Sequence, residues 1–276
     1  MKRRWRALLR HRLAIVGGGL TAALVVAALG APLIARDDPL GMHMAASLEP
    51  PSAQHWFGTD QFGRDIWARV VYGARLSFGV GLLSMLLATA AGLPLGAAAG
   101  YLGGPFDALA MRVMDAVLAF PAILLAIGLV AALGPGTGSG IIAIGIVYVP
   151  VVARVSRAAV LARCREEYVD AARALGETDW GVLTRHVLPN CLAPVLVQVT
   201  VGFASAIVIE AGLSFLGAGT PPPAPSWGGM LNEARQYMAA SPCVAVFPGL
   251  AISIAVLGFN LLGDAMRDVL DPRLRR

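Results

Sequence analysis

"EYVDAARALGETDWGVLTRHVLPN", residues 167–190, places a charged, glycine-broken segment between two long apolar runs. Its first part sets Tyr168, Ala171, Ala172 and Leu175 along one helical face, with Arg165, Glu166 and Arg173 on others. Gly176 stands where a helix commonly stops in a left-handed turn. Thr178 or Asp179 can cap a second helix, whose apolar stripe is Trp180, Leu183, Val187 and Leu188. Pro189 and Pro194 then mark the return to apolar surroundings. A short alanine-rich helix of this kind has little to bury in its own chain and is shaped for a groove in another protein.

The flanking sequence explains why such a segment is needed. Leu13–Ala35, Leu76–Phe106, Ala116–Ala153, His186–Ile209 and Gln236–Gly263 contain no Asp, Glu, Lys or Arg, and "GPGTGSG" (Gly134–Gly140) divides the third run. Crossing a hydrocarbon core of about 30 Å takes about 20 apolar residues. Six helices are therefore expected, at about 13–35, 76–101, 112–133, 140–162, 192–216 and 243–264. The fold class is an all-α polytopic membrane protein with six transmembrane helices. Only 14% of the 276 residues are charged, against about 25% in soluble domains. The first run is too long for the apolar core of a cleaved signal peptide, which has about 7–15 residues.

Arginine and lysine orient the bundle. Loops and tails on the side that holds both termini carry 17 of these residues, and the other side carries 5. Cytoplasmic flanks hold the excess, so both termini and the 167–190 segment are expected in the cytoplasm. The net charge of +5 then needs no nucleic acid partner.

Several chemistries are excluded or weak. Lys2 is the sole lysine, so no phosphate-binding loop ending in Lys-Ser or Lys-Thr exists. "GLSFLG" (Gly212–Gly217) misses the serine-nucleophile spacing by one residue, and Ser214 reads as a packing residue. Cys164, Cys191 and Cys243 match no zinc or redox spacing and read as small packing residues. "GMHM" (Gly41–Met44), with Asp37, Asp38 and His55, has the donors of an external metal site, but a loop with scattered polar residues is the simpler reading.

Between the first two runs lies "QHWFGTDQFGRDIWARVVYGARLSF" (Gln54–Phe78). Thr59 or Asp60 can cap a helix there, and Ile66, Val70 and Val71 recur at helical spacing. The segment is expected to lie at the outer membrane surface, with Trp56 and Trp67 among headgroups. An anchor and a substrate-gate or receptor contact are equally compatible with it. Glu210 falls deep in the fifth run, where an ionisable group must face protein or water. It either lines a path or gate, or bonds to a neighbouring helix.

The sequence resembles the permease subunits of bacterial ABC importers. "DAARALGETDWGVLTRHVLP" (Asp170–Pro189) is similar to their cytoplasmic loop pattern of Glu-Ala-Ala, three residues, Gly and a distal Leu-Pro, with Asp170 replacing the usual Glu and His186 at a position that often holds Ile. "HWFGTDQFGRDIWARVVYGAR" (residues 55–75), "MRVMDAVLAFPAILLAI" (111–127), "EAGLSFLG" (210–217) and "FPGLAISIAVLGFNLLGDAMRDVLDPRLR" (247–275) resemble the dipeptide, oligopeptide, glutathione and nickel branch. Within that branch they resemble the second, C-type, of two paired permeases.

The resemblance implies a type I importer (MetI-like) permease fold in the bacterial inner membrane. Residues 1–75 would hold the tail, the first span and the external segment. Residues 76–276 would form a five-helix core carrying the coupling loop at 163–190. The implied partners are a sister permease in a heterodimer, two ABC ATPase subunits, and an extracytoplasmic solute-binding protein. No cofactor is expected in this chain, ATP and Mg belonging to the ATPases, and the chain itself is not an enzyme. Asp170, Ala171, Ala172, Gly176, Leu188 and Pro189 would couple it to the ATPase, and Glu210 is the candidate path or gate residue. The implied cargo is a dipeptide or oligopeptide, with nickel or glutathione as alternatives. An ion-coupled secondary carrier would more often show two repeated halves, which this sequence lacks.

Overall fold

The computed structural model describes residues 11–270. The terminal basic residues counted above at positions 2–10 and 273–276 lie outside that range. The regular elements among the described residues are helices: α1 (Arg12–Leu29), α2 (Ala31–Ile34), α3 (Ile66–Leu102), α4 (Gly104–Leu118), α5 (Ala122–Leu133), α6 (Thr137–Arg163), α7 (Glu167–Ala174), α8 (Asp179–Phe215), α9 (Trp227–Ala234) and α10 (Cys243–Leu270), with a largely irregular loop between α2 and α3. Five of these helices are long and apolar enough to cross a membrane, or six if α4 and α5 count as one bent span.

α3 and α6 form the most extensive helix pair. Their contact face is made of small residues. A Cβ added to Gly96 would stand 2.1 Å from the Ala153 carbonyl oxygen, and one on Gly92 would stand 2.8 Å from that of Val149. In lipid, where apolar side chains gain little by leaving their neighbours, such close approach supplies the packing that holds helices together. Val80, Met85, Ala88, Val130, Ile144, Val152, Val195 and Leu213 fill the space between α3, α5, α6 and α8. A second cluster, centred on the fully buried Trp227, joins α1, α3, α9 and α10. Leu82, Leu83 and Leu86 of α3 are exposed, as befits residues that meet hydrocarbon.

Three sequence expectations change. The surface helix expected before the second span is instead the beginning of α3, which runs unbroken for 37 residues. Its cap is Asp65, which accepts from the Ala68 amide at 2.7 Å, rather than Thr59 or Asp60. Ile66, Val70 and Val71 face protein and are buried, and Phe57 stacks on Phe247 of α10 at 3.8 Å, so this region is packed against the bundle. Residue 75 consequently falls inside a helix.

The single span expected at 112–133 is two helices bent by 90°. Pro121 has an extended backbone (φ −55°, ψ 129°) and starts α5, because proline cannot donate to the preceding turn. Finally, the fifth span has no break at its inner end, since Asp179–Phe215 is one continuous helix.

Candidate functional site

At the arginine-rich end of the bundle, α7, a turn and the start of α8 make one small unit. α7 ends in a double closure: the Gly176 amide donates to the Arg173 carbonyl at 2.9 Å, and the Glu177 amide donates to that of Ala172 at 3.2 Å. Gly176 has φ +83°, the left-handed conformation that this cap requires and glycine adopts without steric penalty. Two residues later the Thr178 hydroxyl accepts from the Gly181 amide at 3.2 Å and starts α8.

Residues Val182–Val187 form a π turn, in which the Leu188 amide reaches back to the Leu183 carbonyl. The widened turn precedes Pro189, whose ring would crowd the carbonyl four residues back in a regular helix.

The unit is anchored to its own chain. Val169 and Ala172 are buried against Val160, Val182, Leu183, Val187 and Cys191, with Ala97 beneath and Leu188 beside them. The Tyr101 hydroxyl at the end of α3 donates to Asp179 Oδ1 at 2.6 Å, and the Arg173 guanidinium sits 5.7 Å from the Tyr101 ring centroid. The Arg185 guanidinium donates to Glu177 Oε1 at 3.1 Å. Burial pushes the Cys164 thiol up, which makes it a packing residue rather than a reactive thiolate.

The expectation that this helix has little to bury in its own chain is therefore corrected. Val169, absent from the expected apolar face, is an inner residue, and Ala172 is small because Val160 and its neighbours surround it. The outward side carries Asp170, Ala171 and Gly176, followed by Leu175, 88% exposed, and Trp180, 75% exposed. Pro189 is also exposed. The unit thus presents two large apolar side chains from a rigidly capped tip.

Glu210 lies in mid-α8, 3% exposed. The Ser77 hydroxyl of α3 donates to Glu210 Oε2 at 3.1 Å, and the Ser214 hydroxyl donates to Oε1 at 2.8 Å. Ser214 also accepts from the Thr220 amide at 3.2 Å. The carboxyl group thereby ties α8 to α3. Glu210→Gln keeps polar atoms facing both hydroxyls and is expected to melt near wild type in detergent. Glu210→Ala leaves the hydroxyls unpaired and is expected to cost about 1–3 kcal/mol. Equal losses in the two variants would show that the charge, not the hydrogen bonding, matters there.

At the opposite end of the bundle, sequence reasoning missed a buried ion cage. Arg64 Nε lies 2.6 Å from Asp60 Oδ2, and its Nη2 lies 2.5 Å from Glu233 Oε2. Arg69 Nη2 donates to the same Glu233 oxygen at 3.2 Å, and its Nε is 3.5 Å from Asp60. Both guanidinium groups are buried. Trp227 Nε1 donates to the Val70 carbonyl at 2.9 Å, fixing α9 beneath the cage. No sequence signal links Asp60 with Glu233, which are far apart in the chain.

Comparison with known proteins gives a consistent pattern. Residues 92–276 match the family described as "Binding-protein-dependent transport system inner membrane component". Residues 1–51 match the "N-terminal TM domain of oligopeptide transport permease C". A Brucella abortus relative, provisionally named as a peptide transport system permease protein, is 50% identical over 98% of this chain and 91% of its own length. The dipeptide transport system permease of Alkalihalophilus pseudofirmus is 45% identical over 98% of this chain and 89% of its own. The glutathione transport system permease of Pectobacterium atrosepticum is 42% identical over 98% and 90%. Among solved structures, a chain of an inward-facing methionine ABC transporter aligns with a TM-score of 0.62 and 20% identity, over 74% of this chain and 97% of that one. That likeness establishes the fold, a type I importer permease.

Proposed function

Because the chain belongs to the family of binding-protein-dependent transport system inner membrane components, we propose that its capped inner unit is the joint through which ATPase subunits drive import. The chain is a multi-pass permease subunit of the bacterial inner membrane. It works as the C-type half of a heterodimer with a sister permease. Two ABC ATPases hold the ATP and Mg, and a solute-binding protein delivers cargo from outside. Relatives with near full-length coverage are named for peptides, dipeptides and glutathione, which supports di- or oligopeptides as cargo. Glutathione or nickel is the alternative within the same architecture. Glu210 serves the path by holding α8 against α3 rather than by exchanging ions, which argues against an ion-coupled carrier.

The observation that carries this reading is the build of the inner unit. Its inward side is fastened by Val169, Ala172 and the Tyr101–Asp179 hydrogen bond, while Asp170, Ala171, Leu175 and Gly176 are left outward. Leu188 and Pro189 follow the π turn, where α8 continues into the bundle. A fastened unit transmits a push from an ATPase groove instead of absorbing it.

Gly176→Val forces a side chain into a left-handed backbone at a cost of about 1 kcal/mol or more. That cost is too small to unfold the bundle but large enough to misaim the tip. The complex bearing Gly176→Val is expected to contain the permease, inserted and paired, yet to lose most substrate-stimulated ATP hydrolysis. Ala171→Glu, on the outward side, is expected to weaken ATPase retention during purification. Normal retention, stimulation and transport in both variants would falsify the joint.

A further inference from the structure

At the outer end of the chain, three side chains from separate segments converge without an arginine among them. Asp37 follows α2, His55 lies in the loop, and Asp65 caps α3. His55 Nδ1 lies 3.0 Å from Asp65 Oδ1 and 3.8 Å from Asp37 Oδ2. One ligand atom from each residue falls within 4.8 Å of the other two. We propose that Asp37, His55 and Asp65 bind one divalent transition metal, of the zinc class, as a resident strut between the segment after the first span and the start of α3.

Three features support this assignment. First, the charge is unbalanced. Two carboxylates face one imidazole, and among the described residues neither Asp37 nor Asp65 pairs with an arginine. The nearby cations are engaged elsewhere: Arg36 stacks over Trp56 at 4.6 Å, and Arg64 and Arg69 are committed to Asp60 and Glu233. A divalent ion offsets the two carboxylate charges that no arginine meets.

Second, the donors are aimed. Asp65 uses Oδ2 to accept from the Ala68 amide at 2.7 Å, which fixes the carboxylate and turns Oδ1 toward His55. Metal sites use such outer hydrogen bonds to orient their ligands. Third, the spacing suits zinc. Bonds of about 2.0–2.1 Å in a tetrahedron place ligand atoms about 3.3 Å apart, between the two separations His55 makes. The imidazole nitrogen and carboxylate oxygens are donors that zinc accepts, and water completes the shell. Asp65 is buried, while the Asp37 side chain is 48% exposed, leaving the open side through which an ion and its waters enter. His43, considered from the sequence alone, is not part of the group.

The site does not depend on the transport reading, because a resident ion stays with the isolated chain. The test uses the full-length permease in detergent, without ATPase or solute-binding protein. The chain is stripped with chelator, reloaded with zinc, desalted and measured by plasma mass spectrometry, alongside His43→Ala, Asp37→Asn and His55→Gln. Wild type and His43→Ala are expected to retain zinc in equal proportion to protein and to melt at higher temperature when it is present. Asp37→Asn and His55→Gln are expected to bind it about tenfold or more weakly and to lose the thermal shift. Should His55→Gln fail to fold, Asp37→Asn, with its half-exposed carboxyl group, carries the decision. Absence of retained zinc in wild type, or equal zinc in wild type and Asp37→Asn, overturns the assignment.

Discussion

Gly96→Leu is expected to leave almost no folded permease in the membrane. The atom that a new Cβ would meet, at 2.1 Å, is the Ala153 carbonyl oxygen, and the next are the Ala153 carbonyl carbon and Cα at 2.8 and 2.9 Å. A clash with a flexible side chain is relieved by rotation and costs about 1–3 kcal/mol. Here the obstacle is the backbone of α6, and relief means moving a whole helix. One turn to either side, Gly92 and Gly100 approach the same helix, each with a Cβ position 2.8 Å from a carbonyl oxygen, so the displacement would open the whole seam. A loss of about 3 kcal/mol or more is expected, out of the about 5–15 kcal/mol that typically holds a fold. Gly249→Leu is the control, because nothing lies within 4 Å of that Cβ. Size-exclusion profiles and melting curves in detergent check the pair. A Gly96→Leu chain as monodisperse and heat-stable as Gly249→Leu would refute the backbone-contact seam.

Arg69→Met is expected to be nearly as damaging for a different reason. The shape of the side chain is roughly kept, but Asp60 and Glu233 are left with Arg64 alone. The cage holds two guanidinium groups and two carboxylates, so its charges cancel, and removing one cation leaves an uncompensated buried negative charge. Breaking such a set from one side costs about 3–5 kcal/mol. Adding Glu233→Gln to Arg69→Met restores neutrality and is expected to recover part of that loss. Thermal melts of the two variants and wild type decide this. If Arg69→Met lies within about 1 kcal/mol of wild type, water has entered the cage and the charges are screened.

The apolar runs were readable because a lipid-facing helix has almost no other way to be written. α1, α6 and α10 begin within three residues of their expected starts. The bend at Pro121 was not readable from proline alone. Pro94, Pro150, Pro194 and Pro248 are equally conspicuous in the sequence, yet each lies inside a continuous helix. Neighbouring helices decide which proline breaks a span, and a linear reading does not contain them.

The turn at Gly176 was readable because a left-handed cap needs glycine at one position. The phase of α7 was not, because in an eight-residue helix rich in alanine the inner and outer faces look alike, and Val169 was the residue that decided it. The ion cage depends on Glu233, which is 169 positions from Arg64, a pairing that no local pattern announces.

The length of α3 has a mechanical meaning. Thirty-seven residues at a rise of about 1.5 Å each make a rod of about 55 Å, longer than the whole bilayer with its headgroups, about 40–45 Å. Its first turn carries Arg69 in the outer cage, and its last turn carries Tyr101 against Asp179. The rod is therefore long enough to act as a lever with an end beyond each headgroup layer. A rigid tilt of about 10° around its midpoint swings each end by about 5 Å, in opposite directions. In such a tilt an inward displacement of one end is matched by an outward displacement of the other, a coupling that the length of a single helix is enough to carry.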